Sequence, residues 1–152
     1  MRVTKISQNG LTLLKSLEGF SSKPYLDGGG VPTIGYGSTY YENGVRVTMK
    51  DTPISEEWSE KLLLKLLEQY ERDVDSYTRD DINQNQFDAL VLFAYNVGSQ
   101  ALKRATLLKK VNINPIDPTI EKEFLKWIYD NGKKVQGLLN RRIIEAKLYH
   151  RV

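Results

Sequence analysis

The chain has 152 residues, of which 40% are hydrophobic and 27% are charged, and its formal net charge is +3 at pH 7. This length suits one globular domain, in one or two lobes, with a substantial core. The absence of cysteine excludes disulfides, thiolate catalysis and cysteine-based metal sites. No apolar run approaches the roughly eighteen residues that a membrane-spanning helix needs.

The first residues do not have the pattern of a secretory signal. Residues 1–5 carry two basic side chains, but neither an unbroken apolar run nor a small-residue cleavage site follows them. We therefore expect no signal peptide, and a protein that stays in the cytoplasm of the cell that makes it until another factor releases it.

Residues 8–18 are predicted to form the first helix. Leucines recur every three residues from Leu11 to Leu17, as on the buried face of a helix. Ser7 is a suitable N-cap, and Gly19 is the residue type that favours the left-handed position just beyond a helix. These signals place both ends of the helix.

Glu18 is the last residue of this predicted helix. A carboxylate is disfavoured at the negative end of a helix dipole, and burial by Leu17 and Phe20 would disfavour its charge further. A carboxyl group that keeps its proton is what a general acid requires. Position alone is nevertheless more typical of a solvated glutamate at a fraying helix end.

Residues 23–52 are rich in glycine and are predicted to form a small antiparallel sheet, with Asn43-Gly44 as a hairpin turn. Asp27 opens a triple-glycine turn, and Thr33 lies on the strand that follows. Taken singly, Asp27 is most often a turn residue and Thr33 an ordinary strand residue. Two carboxyl groups and a hydroxyl within sixteen residues are a less ordinary combination.

Strand alternation also predicts the two faces of this segment. A face made largely of glycine permits close approach by a ligand or by another backbone, or only lets the sheet twist. The expected faces are Ile34, Tyr36 and Ser38 on one side, and Thr33, Gly35 and Gly37 on the other.

The rest of the chain is predicted to be helical. Ser55 caps a long helix with an apolar stripe that runs from Trp58 to Tyr77. Asn83 and Gln86 have capping-box spacing, and the helix that they open is apolar enough to be the central core helix, ending at Gly98. Further helices are expected at 99–104, 106–112, Asp117 to about Trp127, and 137–149, with a polar connection at 130–136.

Charge is distributed unevenly along the chain. Residues 1–98 carry ten basic and fourteen acidic side chains, whereas residues 99–152 carry twelve and five. A basic half suits a polyanionic partner such as nucleic acid, anionic lipid or an anionic cell wall, or it is simply a solvated surface. Because no nucleic-acid-binding signature accompanies it, we expect no nucleic-acid partner.

Several motifs occur together in one order along nearly the whole chain. Eight residues separate Glu18 from Asp27, and five separate Asp27 from Thr33. This spacing resembles the catalytic triad of the phage-type lysozymes, the endolysins of glycoside hydrolase family 24. The motifs that carry the resemblance are Leu17-Glu18-Gly19-Phe20, Pro24-Tyr25-Leu26-Asp27, Thr33-Ile34-Gly35-Tyr36-Gly37, Gln86-Phe87-Asp88-Ala89-Leu90-Val91 with Asn96-Val97-Gly98, and Gly137-Leu138 with Arg141-Arg142 and Glu145.

The resemblance implies an α+β, mostly α-helical fold of the lysozyme-like, two-lobed kind. A small antiparallel β-sheet lobe would comprise about residues 14–56. A long connecting helix would occupy about 57–80. A helical lobe would comprise about 81–152 together with 1–13.

The resemblance also implies an activity, the hydrolysis of the β-1,4 bond between N-acetylmuramic acid and N-acetylglucosamine in bacterial peptidoglycan. Glu18 would be the general acid, while Asp27 and Thr33 would support an inverting attack by water. No metal or cofactor is implied. A lytic transglycosylase and a non-catalytic peptidoglycan-binding module remain alternatives.

In the cell, the resemblance implies a monomer that accumulates in the cytoplasm of the host bacterium without stable membrane insertion. A separate holin would permeabilise the membrane, and the enzyme would then lyse the cell and release phage progeny.

Some residues depart from the family pattern or carry no firm assignment. Ala105 replaces the usual serine, and Lys103-Arg104 is more basic than expected, which puts saccharide affinity in doubt more than chemistry. Arg141 or Arg142 could pair with Glu18, as an arginine of the last helix does in relatives, or either could be a surface side chain. His150, the only histidine, is assigned no role.

Overall fold

A computed structural model describes residues 2–152. These residues form seven helices and four short strands, so the expected α+β, mostly helical fold class is confirmed. The helices are α1 (Gln8–Glu18), α2 (Glu56–Tyr77), α3 (Gln84–Val97), α4 (Ser99–Arg104), α5 (Thr106–Ile113), α6 (Ile120–Phe124) and α7 (Gln136–Tyr149). The strands are β1 (Ser21–Leu26), β2 (Pro32–Gly35), β3 (Tyr129–Asp130) and β4 (Lys133–Lys134).

The chain divides into two compact units. The sheet unit is Leu11–Glu68, and the helical unit is the chain up to Gly10 together with Gln69–Val152. Helix α1 starts in the helical unit and continues into the sheet unit, and α2 runs from the sheet unit into the helical unit.

In the sheet unit, β1 and β2 pair antiparallel, with Tyr25 opposite Thr33. The Asn43-Gly44 turn is confirmed, since the Tyr41 amide donates to the Val45 carbonyl at 2.9 Å. The turn is flanked only by an isolated bridge, so the sheet is smaller than the sequence suggested. Its core comprises Ile34, Val47, Ile54 and Leu62.

In the helical unit, α3 is the central helix, as predicted. The capping box is present, with Asn83 and Gln86 each accepting from the other's backbone amide. Every residue of α3 from Gln86 to Ala94 is buried, and α7 packs against this helix. Arg142 and Glu145 of α7 are fully buried and form an ion pair of 2.7 Å.

The predicted helix from Asp117 to Trp127 is wrong in length, because only Ile120–Phe124 is helical. Asp117 instead accepts from the Thr119 amide at 2.8 Å, which forms a turn before the helix. The expected polar connection at 130–136 contains a hairpin of β3 and β4. Its turn is Asn131-Gly132, with φ of 51° and 76°, a pair that suits such turns.

Helix α2 begins where expected, since the Trp58 amide donates to the Ser55 hydroxyl at 3.0 Å. Its apolar stripe starts later than predicted. Trp58 is half exposed, and the first fully buried leucines are Leu62 and Leu63. None of the helices within residues 2–152 combines the length and the apolar character that crossing a membrane requires.

Candidate active site

Glu18 ends α1 as the sequence predicts. At the start of the helix, the Ser7 hydroxyl accepts from the Gly10 amide at 3.0 Å. At its end, Gly19 adopts a φ of 71° while its amide donates to the Lys15 carbonyl at 3.0 Å. The Glu18 side chain is therefore half-buried at the carbonyl end of a short helix.

The segment after β2 does not keep the alternation predicted for 33–38. Ile34 and Ser38 exchange two backbone hydrogen bonds of 2.9 Å, which closes a tight turn. Gly35 and Gly37 have φ of 65° and 79°, so the backbone leaves the strand conformation. The prediction that Tyr36 and Ser38 continue the face of Ile34 is therefore wrong.

This turn brings the main chain against the carboxyl group of Glu18. A Cβ atom added to Gly37 would lie 2.5 Å from Oε1 of Glu18, closer than such atoms approach in proteins. A side chain at position 37 would therefore have to displace the carboxyl group of Glu18. The group that approaches Gly37 is a side-chain carboxyl, and not the ligand or second backbone that the sequence suggested.

Asp27 lies at the start of the loop between β1 and β2. Its Oδ1 accepts from the amides of Gly29 at 2.8 Å and Val31 at 2.9 Å. The Asp27 amide donates to the Val31 carbonyl at 3.0 Å, which closes the loop. These bonds occupy Oδ1 and fix the orientation of an exposed carboxylate, while they leave Oδ2 for other partners.

Thr33 lies on β2 and is only 3% exposed. Its hydroxyl donates to the Val31 carbonyl at 2.8 Å. Because a hydroxyl has one proton and two lone pairs, this bond leaves Thr33 able to accept a hydrogen bond, for example from a water molecule.

Tyr25 is influenced by the carboxyl groups of Glu18 and Asp27, although the sequence motifs did not single it out as a site residue. Burial raises the pKa of Tyr25, and the negative charges of Glu18 and Asp27 raise it further. The phenol is therefore within electrostatic reach of both carboxyl groups, and its backbone pairs with Thr33. The signal was available, since Tyr25 precedes Asp27 by two residues at the end of a strand.

Tyr25→Phe tests this arrangement. Because the raised pKa keeps the phenol protonated, its hydroxyl is a constant donor beside two carboxyl groups. We expect the variant to lose about tenfold in kcat/KM on peptidoglycan, which corresponds to ~1.4 kcal/mol of transition-state stabilisation. Tyr40→Phe, at an exposed position of the same unit, is the matched control and should retain activity. Equal rates for both variants would remove Tyr25 from the site.

Arg141, Arg142 and Ala105 lie in the helical unit. Both arginines contact Glu145. Ala105 is buried between α4 and α5 and lines a cavity of about 350 Å³ with Arg104 and Trp127.

Within residues 2–152, no group of three or more His, Asp or Glu side chains is placed to hold a metal ion.

A small antiparallel sheet within a mostly helical chain is the architecture of a lysozyme-class protein. A family model described as phage lysozyme matches residues 15–145. The chain therefore belongs to the phage lysozyme family.

Relatives and solved structures agree with this membership. The chain is 43% identical over 149 residues to the endolysin of Bacillus phage B103, covering 95% of this chain and 53% of that protein, so it spans about half the length of that relative. It is 38% identical over 145 residues to the endolysin of Salmonella phage P22, covering 95% of this chain and 97% of that protein. The solved endolysin from Escherichia coli O157:H7 phage FAHEc1 superposes with a TM-score of 0.88 at 34% identity, covering 98% and 96% of the two chains.

Proposed function

We propose that this protein is an endolysin that hydrolyses the β-1,4 bond between N-acetylmuramic acid and N-acetylglucosamine in peptidoglycan. The observation that carries the proposal concerns Tyr25. Burial and the charges of Glu18 and Asp27 raise the pKa of its phenol, and its backbone pairs with that of Thr33. This surrounding supports a site in which Glu18, Asp27 and Thr33 act together.

Glu18 acts as the general acid. Its carboxyl group is half-buried at the carbonyl end of α1, beside the turn at Gly37. The protonated carboxyl donates to the glycosidic oxygen as the bond breaks, and the leaving sugar departs as a neutral alcohol. The backbone turn at Gly37 packs against Oε1 and limits where that proton can point.

Asp27 and Thr33 act on the water molecule that attacks the anomeric carbon. The Oδ2 of Asp27 stabilises the positive charge that develops at the anomeric carbon and accepts a proton from the attacking water. The Thr33 hydroxyl, whose own proton is engaged by Val31, accepts the second hydrogen of that water and so orients its lone pair. Attack from the face opposite the leaving group inverts the anomeric configuration.

Analysis of the sugar ends released from purified peptidoglycan tests the proposal. A hydrolase releases reducing ends, whose anomeric configuration NMR can follow before mutarotation. Anhydro-sugar ends would instead assign a lytic transglycosylase, which uses an acid but no water. Binding to peptidoglycan without cleavage would identify a non-catalytic wall-binding protein. Either of these outcomes overturns the proposal.

Thr33→Glu is a second test, of the water-positioning role. The substitution places a carboxylate where Thr33 is proposed to hold water, so the carboxylate could attack the anomeric carbon itself. We expect loss of normal turnover, with either a trapped glycosyl-enzyme adduct visible by mass spectrometry or products of retained configuration. Normal turnover with inverted products would show that Thr33 does not contact the reacting water. Thr39→Glu, in the same unit and outside the site, controls for the added charge.

The cellular expectations follow from this proposal and remain predictions. They comprise a monomer, accumulation in the host cytoplasm, delivery to the wall through a separate holin, and release of phage progeny by lysis.

A further inference from the structure

We propose that the sheet unit carries a second saccharide-binding site, the Trp58 groove, which anchors the glycan strand away from the scissile bond. The proposal rests on the proposed function in that it takes peptidoglycan as the polymer that is held. The groove has a volume of about 410 Å³, within the range of ligand pockets. It is lined by Tyr41, Glu42, Asn43, Asp51, Thr52, Ile54, Trp58 and Leu62.

Trp58 is placed unusually for a tryptophan on a core helix. Its side chain is 50% exposed, whereas its neighbour Ser59 is fully buried against the backbone of Gly35. Burying the serine and exposing the indole forgoes the burial of a large apolar surface. A half-exposed aromatic side chain at the edge of a groove is a typical anchor for a ligand.

Hydrogen bonds fix part of the groove lining before any ligand binds. The Tyr41 hydroxyl donates to Asp51 at 2.7 Å, and Asp51 also accepts from the Thr48 amide at 2.9 Å and the Thr48 hydroxyl at 2.6 Å. These bonds hold the pKa of Asp51 below its usual range. Burial, with the bond to Asp51, raises the pKa of Tyr41 to about 12. A preorganised wall loses little entropy when a ligand binds.

The lining determines the class of ligand. An indole offers a flat apolar surface to one face of a pyranose ring, while carboxylate, amide and hydroxyl groups exchange hydrogen bonds with sugar hydroxyls and acetamido groups. The groove contains Glu42 and Asp51 but no lysine or arginine. Two carboxylates repel nucleic acid and the carboxylates of peptide stems. The ligand that fits is an uncharged, β-1,4-linked N-acetylhexosamine segment of the glycan strand.

The groove lies away from the catalytic face of the same unit. Ile34 packs in one core cluster with Ile54 and Leu62, which also line the groove. Thr33 is adjacent to Ile34 on β2, so its side chain points to the opposite side of the strand. A glycan segment held in the groove therefore leaves the catalytic face open, and its effect should depend on substrate length.

The test compares Trp58→Ala with Leu64→Ala, which removes an exposed apolar side chain from the same helix outside the groove. Rates are measured on insoluble cell-wall sacculi and on a short soluble glycan fragment. We expect the ratio of the sacculus rate to the fragment rate to fall about fivefold for Trp58→Ala and to stay at the wild-type value for Leu64→Ala. An unchanged ratio for Trp58→Ala would overturn the proposal.

A titration of the inactive Glu18→Gln variant separates this proposal from the proposed function. The probe is a β-1,4-linked N-acetylglucosamine tetramer, followed by NMR. Shifts of the Trp58 indole and the Asn43 amide support the groove even if the wild type cleaves nothing. Shifts confined to residues around Tyr25 and Thr33 would support the catalytic site and overturn the groove.

Discussion

Glu18→Gln is expected to lower peptidoglycan hydrolysis by at least about 10³-fold while leaving the protein folded. An amide has nearly the shape of a carboxyl group but cannot donate the acid proton, and a positioned general acid contributes about 10²–10⁴-fold. Because glutamine keeps the length and shape of the side chain at the end of α1, the substitution should leave the packing of the fold intact. Release of reducing ends measures activity, and circular dichroism during heating measures stability.

The matched control for Glu18→Gln is Glu57→Gln, which alters an exposed glutamate in the first turn of α2. This variant should retain wild-type turnover. If Glu18→Gln retained more than about a tenth of wild-type activity, the acid would have to be another residue.

Gly37→Ala is expected to reduce activity by about 10²-fold although it adds one methyl group outside the chemistry. That methyl group would lie 2.5 Å from Oε1 of Glu18, and the carboxyl group is the mobile partner. The side chain can move aside cheaply, but the proton donor is then misplaced, and a displacement of about 1 Å can cost about 10²-fold in rate. The φ of 79° also costs a side-chain-bearing residue ~1–2 kcal/mol.

Gly44→Ala separates the cost of a positive φ from the displacement of the Glu18 carboxyl group. Gly44 has a φ of 83°, but a Cβ there would meet no atom within 4 Å. Both variants should therefore lose similar stability in urea unfolding, whereas only Gly37→Ala should lose activity. Equal activities in the two variants would mean that the packing of Gly37 against Glu18 has no catalytic consequence.

The elements that the sequence predicted well are those whose ends carry local signals. Ser7, Ser55 and Asn83 each cap the helix that their spacing indicated. The predictions fail where the backbone conformation depends on distant contacts or on the preference of particular residues for turns. A turn closed by the Asp117 side chain replaces the start of the expected helix. A hairpin replaces the expected polar connection, and its Asn131-Gly132 dipeptide is a strong turn signal.

The candidate site shows the same limit. Glu18, Asp27 and Thr33 could be selected from their spacing and their resemblance to a family, and the structure places all three in the sheet unit. The contact of Gly37 with Glu18 could not be predicted this way, because it joins residues nineteen positions apart. Trp58 was expected to pack in the core, since periodicity indicates the face of a helix but not which positions on that face stay uncovered.

The loop after β1 offers an engineering opportunity. Asp27 is oriented by main-chain amides, so the identity of the loop side chains does not affect those bonds. Gly28 has open space where a Cβ would lie, and Gly29 would make only ordinary contact, whereas Gly30 has a φ of 78° that favours glycine. Residue 28 is thus the natural position for a side-chain library in this loop, whereas a side chain at residue 29 would contact Oδ1 of Asp27.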